Sequence, residues 1–274
     1  VNSTLGVGLN ELLYTHNGVE RSYLLYVPIN YDQMGDLPLL YNFHGFGGSA
    51  NDHLSDSDFR DIADEEGFFL VYPQGTLLNG FPHWNAALSG GDNKSNADDF
   101  GFIEALTQEI ANDWPIDLER IYATGYSNGA MLSYGLACYS NRLVAAVASV
   151  SGTMLDQSFT CQPSQATSVL HIHGTDDSVL PYEGNSEVYS ATSIIDFWKN
   201  HNQTDTIPEQ QIYNENGTNA EYIIFRNGSN NTAVAHYKML DGGHVWFNDI
   251  IEGRNMNQII WDFLASYDLN GLRE

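Results

Sequence analysis

Arg120-Ile121-Tyr122-Ala123-Thr124-Gly125-Tyr126-Ser127-Asn128-Gly129-Ala130-Met131-Leu132-Ser133-Tyr134-Gly135-Leu136-Ala137 decides how this chain is read. Its first five residues read as a short buried strand, its last seven as a helix, and Gly-x-Ser-x-Gly stands at the junction. In a chain with 25 glycines the five-residue motif alone says little. The strand-turn-helix setting carries the argument. It is the setting of a nucleophile elbow, in which two glycines permit a turn that any Cβ would crowd, and the serine oxygen stands exposed at the helix N-terminus. Ser127 is therefore the candidate nucleophile.

Three further stretches fall where an elbow requires them. Leu37–Phe43 reads as a strand running into His44-Gly45-Phe46-Gly47-Gly48. A glycine-rich loop at the end of an early strand can turn a backbone N–H toward a substrate carbonyl. The N–H of Phe46, with Gly45 the alternative if the loop is rotated, pairs with the N–H of Asn128 as the expected oxyanion hole. Ser168–Gly174 ends another strand and delivers Asp176 and Asp177, either of which can orient a catalytic histidine; spacing alone does not separate adjacent carboxylates. Tyr237–Leu240 leads into Asp241-Gly242-Gly243-His244-Val245-Trp246, placing His244 on a loop as general base and acid. The chain order is serine, aspartate, histidine, as in α/β-hydrolases.

The whole chain from about Leu13 onward resembles the polyhydroxybutyrate depolymerase, feruloyl esterase and acetyl-xylan esterase group of α/β-hydrolases, the secreted carbohydrate-esterase type. The resemblance rests on Arg21–Pro28, His44-Gly45-x-Gly47-Gly48, Gly67–Gly75, Asp99–Ile103, Asp117–Met131, His173-Gly174-Thr175-x-Asp177 and Gly243-His244-x-Trp246, all in order. In the family pattern the last residue of His-Gly-Thr-x-Asp is the catalytic one, which implies Asp177. The resemblance implies a carboxylesterase acting on acetyl or feruloyl groups of polysaccharide. A short-chain polyester or hydroxybutyrate-oligomer hydrolase with the same machinery is the second reading. A catalytically inactive hydrolase-fold binding module is the third, disfavoured because all three candidate triad residues are present.

Length and composition bound the rest. At 274 residues the chain suits one α/β-hydrolase domain over 1–274, with a mostly parallel central sheet, antiparallel N-terminal edge strands and no large lid. Asn17-Gly18 between Leu12–His16 and Arg21–Val27 predicts the hairpin at that edge. Strands near 39–44, 68–72, 120–124, 144–150 and 168–173 alternate with helical runs. A late hairpin is expected around Asn227-Gly228, and Met256, Ile259, Ile260, Phe263 and Leu264 match a closing helix. With 35 acidic and 10 basic side chains, the charge of −25 argues against nucleic acid and anionic membrane as partners. No apolar run reaches the length of a membrane span. Val1 in place of methionine fits a removed signal peptide and a secreted, extracellular or periplasmic protein, and equally a trimmed chain. The oligomeric state is left open.

Among secondary candidates, Trp84 and Trp246 are expected as substrate contacts, against simple packing as the alternative. Cys138 and Cys161 either pair or stay as two buried thiols. The acidic loop from Ser89 to Asp99 lacks the ordered spacing of a calcium loop, and Asp98 or Asp99 reads instead as the cap of a helix starting near Phe100. His171 and His173 share a strand face but have no third ligand, so they read as core, and neither a metal nor another cofactor is expected.

Overall fold

A computed structural model describes residues 6–88, 95–155, 161–215 and 217–273. Strands β1 (Gly8–His16) and β2 (Val19–Val27) pair antiparallel around Asn17 and Gly18, both at positive φ as a tight turn between twisted strands demands. Then come β3 (Leu37–Phe43), α1 (Ala50–Asp56), α2 (Arg60–Glu66), β4 (Phe69–Pro73), and a small hairpin of β5 (Thr76–Leu78) and β6 (Phe81–His83). Helix α3 (Asp99–Asp113), β7 (Ile116–Tyr126), α4 (Asn128–Tyr139), β8 (Ala146–Val150), β9 (Ser168–Gly174) and α5 (Ala191–Asn202) follow. The chain ends with β10 (Glu209–Glu215), β11 (Thr218–Phe225), β12 (Val234–Met239) and α6 (Met256–Ala265), flanked by short two-residue pairings.

Among the described residues one sheet of ten strands runs in the order β1-β2-β4-β3-β7-β8-β9-β12-β11-β10. From β4 to β12 neighbours are parallel, and both edges are antiparallel. Strands β3, β4, β8 and β9 are buried at every position, as strands covered on both faces must be. Alternate side chains sort to two cores: Leu39, Tyr41 and Val71 meet α3, α4 and α5 through Phe102, Leu132 and Trp198, while Leu40, Leu70 and Leu170 meet α1, α2 and α6 through Leu54, Ile62 and Ile260.

The expected edge hairpin, late hairpin and closing helix all form, and Asp98 caps α3 by accepting from the Gly101 N–H at 3.0 Å. Asp99 does something else. Its carboxylate is buried against Arg21 at 2.7 Å, and it accepts from the Asn85 N–H. Strand β10, Glu-Gln-Gln-Ile-Tyr-Asn-Glu, has no apolar alternation because it is an exposed edge strand, and its sequence does not predict it. Cys138 at the end of α4 and Cys161 before β9 form a disulfide, which resolves the alternative left open by their spacing. Residues 89–94 of the acidic loop lie outside the described residues.

Candidate active site

Strand β7 ends at Tyr126 and α4 begins at Asn128, so Ser127 is the whole turn between them. It takes φ 54° and ψ −116°, a conformation a side chain rarely adopts, held by its N–H to Val150 O (3.0 Å) and its C=O to Met131 N (3.0 Å). A Cβ on Gly125 would stand 2.6 Å from the Gly129 backbone, and one on Gly129 would strike the carbonyl of Phe43. Both glycines are thus required for helix and strand to approach this closely.

The three loops beyond β7, β9 and β12 meet over this turn. Ser127 Oγ lies 2.9 Å from His244 Nε2, and His244 Nδ1 lies 2.7 Å from Asp177 Oδ2. A carboxylate at Nδ1 fixes the tautomer: Nδ1–H donates to Asp177, leaving the Nε2 lone pair to accept from the serine hydroxyl. Asp177 is buried, and its other oxygen accepts from the N–H groups of Val179 (2.9 Å) and Leu180 (2.8 Å). Burial raises its pKa, but hydrogen bonds from His173, His244, Leu180 and Val179 outweigh that and hold the carboxyl well below the usual range. Asp176 is exposed, with its N–H committed to Gly242 O. The His244 loop is tied down by the Tyr126 hydroxyl to His244 O (2.7 Å) and the Ser151 hydroxyl to Val245 O (2.8 Å), two contacts with no signature in the sequence.

On the other side of Ser127 lies the His44–Gly48 loop. The Gly75 N–H donates to His44 Nε2 at 2.9 Å, so the ring proton sits on Nδ1 and donates to Gly45 O at 2.7 Å. Gly48 N–H binds the same carbonyl at 3.1 Å. A trans peptide sets its N–H opposite its C=O, so this double grip turns the Phe46 N–H away from the His44 ring. Among the described residues the N–H groups of Phe46 and Asn128 have no hydrogen-bond acceptor. A Cβ on Gly45 would lie 2.9 Å from the Tyr126 ring, which is why the loop can lie against the elbow only with glycine there. Burial pushes the His44 imidazole down to about 4, keeping it neutral as this pairing requires.

The two tryptophans expected as substrate contacts are placed elsewhere. Trp84 is 2% exposed, packs edge-on against Phe43, and spends its indole N–H on His44 O; Trp246 is 8% exposed, lies edge-on to His53 and Phe59, and donates to Asn257. Neither offers an open ring face. Trp84 acts from behind: its backbone N–H and C=O are both held by the Asn128 side-chain amide, joining it to the helix start. The open aromatic faces belong to Phe46 and Phe81, 56% and 55% exposed, with centroids 5.8 Å apart. The β5–β6 hairpin carrying Phe81 is tied to the loop by Gly47 N–H to Pro82 O at 2.7 Å. Hairpins this short carry too little periodicity to be read from sequence.

Among the described residues no three His, Cys, Asp or Glu side chains form a group that could hold a metal ion, and no helix is long and apolar enough to cross a membrane.

The phospholipase/carboxylesterase family model matches residues 43–223. A bifunctional acetylxylan esterase/xylanase of Neocallimastix patriciarum is 26% identical over 259 residues, covering 93% of this chain and 34% of that protein. Feruloyl esterase C of Emericella nidulans is 29% identical over 182 residues, covering 66% of this chain and 62% of its own length. The chain thus spans less than two thirds of the length of these relatives. The solved structure of the acetyl xylan esterase from Aspergillus awamori superposes with a TM-score of 0.70 over 94% of this chain and 99% of that one. At 16% identity, that likeness concerns the fold.

Proposed function

The chain belongs to the phospholipase/carboxylesterase family, and from that premise we propose that it is a serine carboxylesterase acting on acyl esters carried by polysaccharide, with Ser127, His244 and Asp177 as its triad. The observation that carries the reading is the unbroken line of contacts from Ser127 Oγ through both nitrogens of His244 to a buried, ionised Asp177. His244 takes the serine proton as Oγ attacks the ester carbonyl, and Asp177 stabilises the imidazolium. The N–H groups of Asn128 and Phe46 receive the oxyanion, and His244 returns the proton to the departing alcohol. Water then repeats the sequence on the acyl-enzyme and releases the acid. No step needs a cofactor.

Phe46 and Phe81 replace the two tryptophans as the proposed substrate contacts, because exposed aromatic faces beside a nucleophile suit a flat ring of the substrate. A hollow of about 110 Å³ bounded by Gly45, Phe46, Asp52, Asp56 and Tyr126 adjoins the loop. The disulfide supports a secreted protein, since such bonds persist in oxidising compartments. One continuous sheet with Ser127, Asp177 and His244 on the loops that follow its strands supports reading 1–274 as a single catalytic domain.

The test is turnover of p-nitrophenyl esters from acetate to octanoate by wild type and Ser127→Ala. The reading requires highest kcat/KM at the short end and a loss of roughly four to six orders of magnitude in the variant. Acetylated xylan, methyl ferulate and hydroxybutyrate oligomers then rank the acyl groups. An inert wild type would return the chain to the class of binding modules.

A further inference from the structure

Behind the candidate acid lies a group of buried histidines that the proposed mechanism does not use. The two-residue period of β9 sets His171 and His173 on one face, and parallel pairing with β12 sets His236 opposite His171. All three rings are buried, with centroids of neighbouring pairs 5.2 Å apart. Buried imidazoles must be hydrogen-bonded to be tolerated. His171 meets the Tyr134 hydroxyl at 2.7 Å, and His236 donates from Nδ1 to His171 O at 2.9 Å while Nε2 accepts from Tyr182.

His171 Nε2 has no partner among the described residues, and His173 differs from both neighbours in what its ring faces. Its Nε2 faces two acceptors, Leu180 O at 2.8 Å and Asp177 Oδ2 at 3.2 Å, so the ring proton is on Nε2. Its Nδ1 is buried without a partner among the described residues. An unpaired buried nitrogen costs about 1–3 kcal/mol, so a leucine or phenylalanine would serve packing better. What the imidazole adds is a clamp. It holds the carbonyl of Leu180, whose own N–H holds Asp177 Oδ1, while the same ring edge lies against Oδ2.

We propose that His173 is a positioning residue for the triad: it locks the Asp177 carboxylate in the rotamer that faces His244 and draws part of its charge away from the His244 proton. The inference rests on the reading of Ser127, His244 and Asp177 as the catalytic groups. Around the ring stand Asp177, the Tyr182 ring at 5.9 Å, His171, and from β12 His236 and Lys238, whose ammonium is turned to Glu221. Asp177 is the anion among them.

The experiment compares His173→Leu, His173→Gln and His173→Asn in the whole chain. It follows kcat and KM for p-nitrophenyl acetate across pH, the Tm, and the low-field proton resonance of the His244–Asp177 hydrogen bond. The glutamine amide reaches where Nε2–H stands; the asparagine amide falls short. The leucine and asparagine variants are expected to lose roughly 10- to 100-fold in kcat, with KM within about two-fold of wild type. Their low-field resonance should shift and the acid limb of kcat/KM move to higher pH, because a carboxylate relieved of His173 pulls harder on the imidazole. Glutamine should restore all three. Unchanged kcat, acid limb and resonance in the leucine variant would overturn the proposal, and so would a glutamine variant no better than leucine, which assigns the ring to packing. If leucine does not fold, the glutamine–asparagine pair decides on the same criteria. Ser127→Ala run alongside separates this failure from that of the triad itself, since an active Ser127→Ala would remove the triad reading whatever His173 does.

Discussion

Asp176 and Asp177 are neighbours in sequence, yet only the second is buried and 2.7 Å from His244. Four donors, counting His173, hold its charge, so Asp177 stays ionised across the working range and loses that state only in strong acid. Because its folded pKa is depressed, the stability it contributes is present above the unfolded value of about 3.9 and disappears as pH falls through the folded one. Asp177→Asn should reverse the donor at His244 Nδ1, impose the wrong tautomer and cost about four orders of magnitude in kcat. Asp176→Asn, altering an exposed side chain, should stay within about three-fold. Steady-state rates of the two variants check this, and equal losses would undo the assignment.

Elements place these residues, and two of them carry their own tests. The β5–β6 hairpin puts Phe81 against Phe46 at the rim, outside the hydrogen-bond line of the triad. Phe81→Ala should lower kcat/KM for methyl ferulate by about ten-fold, the worth of one aromatic contact, and leave glycerol triacetate unchanged. Equal loss on both esters would show that the hairpin supports the loop rather than the substrate. Helix α4, which begins next to Ser127, is pinned at its far end by Cys138–Cys161, a link spanning 23 positions. Closing a loop of that size contributes about 3 kcal/mol in the chain-entropy description. Reduction, or replacement of both cysteines by serine, should lower the denaturation midpoint accordingly, with kcat near wild type because neither sulfur touches the site. An unchanged midpoint would show the bond to be idle.

For the molecule as a whole, the buried histidines set a pH dependence. Burial pushes His44 and His236 down to about 4 and His53 to about 3, and it pushes His171 well below its ordinary value. Between pH 6.5 and these values the unfolded chain binds protons that the folded chain refuses, so stability rises with pH there and is lost as pH falls. Each such histidine contributes a slope of about 1.4 kcal/mol per pH unit. Urea unfolding between pH 7 and 4.5 should therefore show a steep loss of stability even though protonation relieves the repulsion of a −25 chain. A flat profile would mean the histidines are open to solvent. Acidification below about pH 4 protonates His44 Nε2, which then cannot accept from Gly75, so the loop bearing Phe46 should loosen there.

Sequence by itself determined the parallel sheet, the elbow and the chain order of serine, aspartate and histidine. These rest on local rules: apolar runs of strand length, a turn that needs glycine, a helix with one apolar stripe. It also marked Arg21 without a role and Asp99 as a candidate helix cap, and only the fold shows them to be the two halves of one buried ion pair. Spacing left Asp176 and Asp177, and paired or free cysteines, undecided, because adjacency in sequence carries no direction in space. Trp84 and Trp246 sit beside site residues in the chain, but which way a ring faces depends on Phe43, His53 and Phe59, which come from other segments of the chain. The Phe46–Phe81 face, the clamp of His173 and the anchors of the His244 loop likewise join segments far apart in sequence, and only packing of the sheet against both helix layers brings them together.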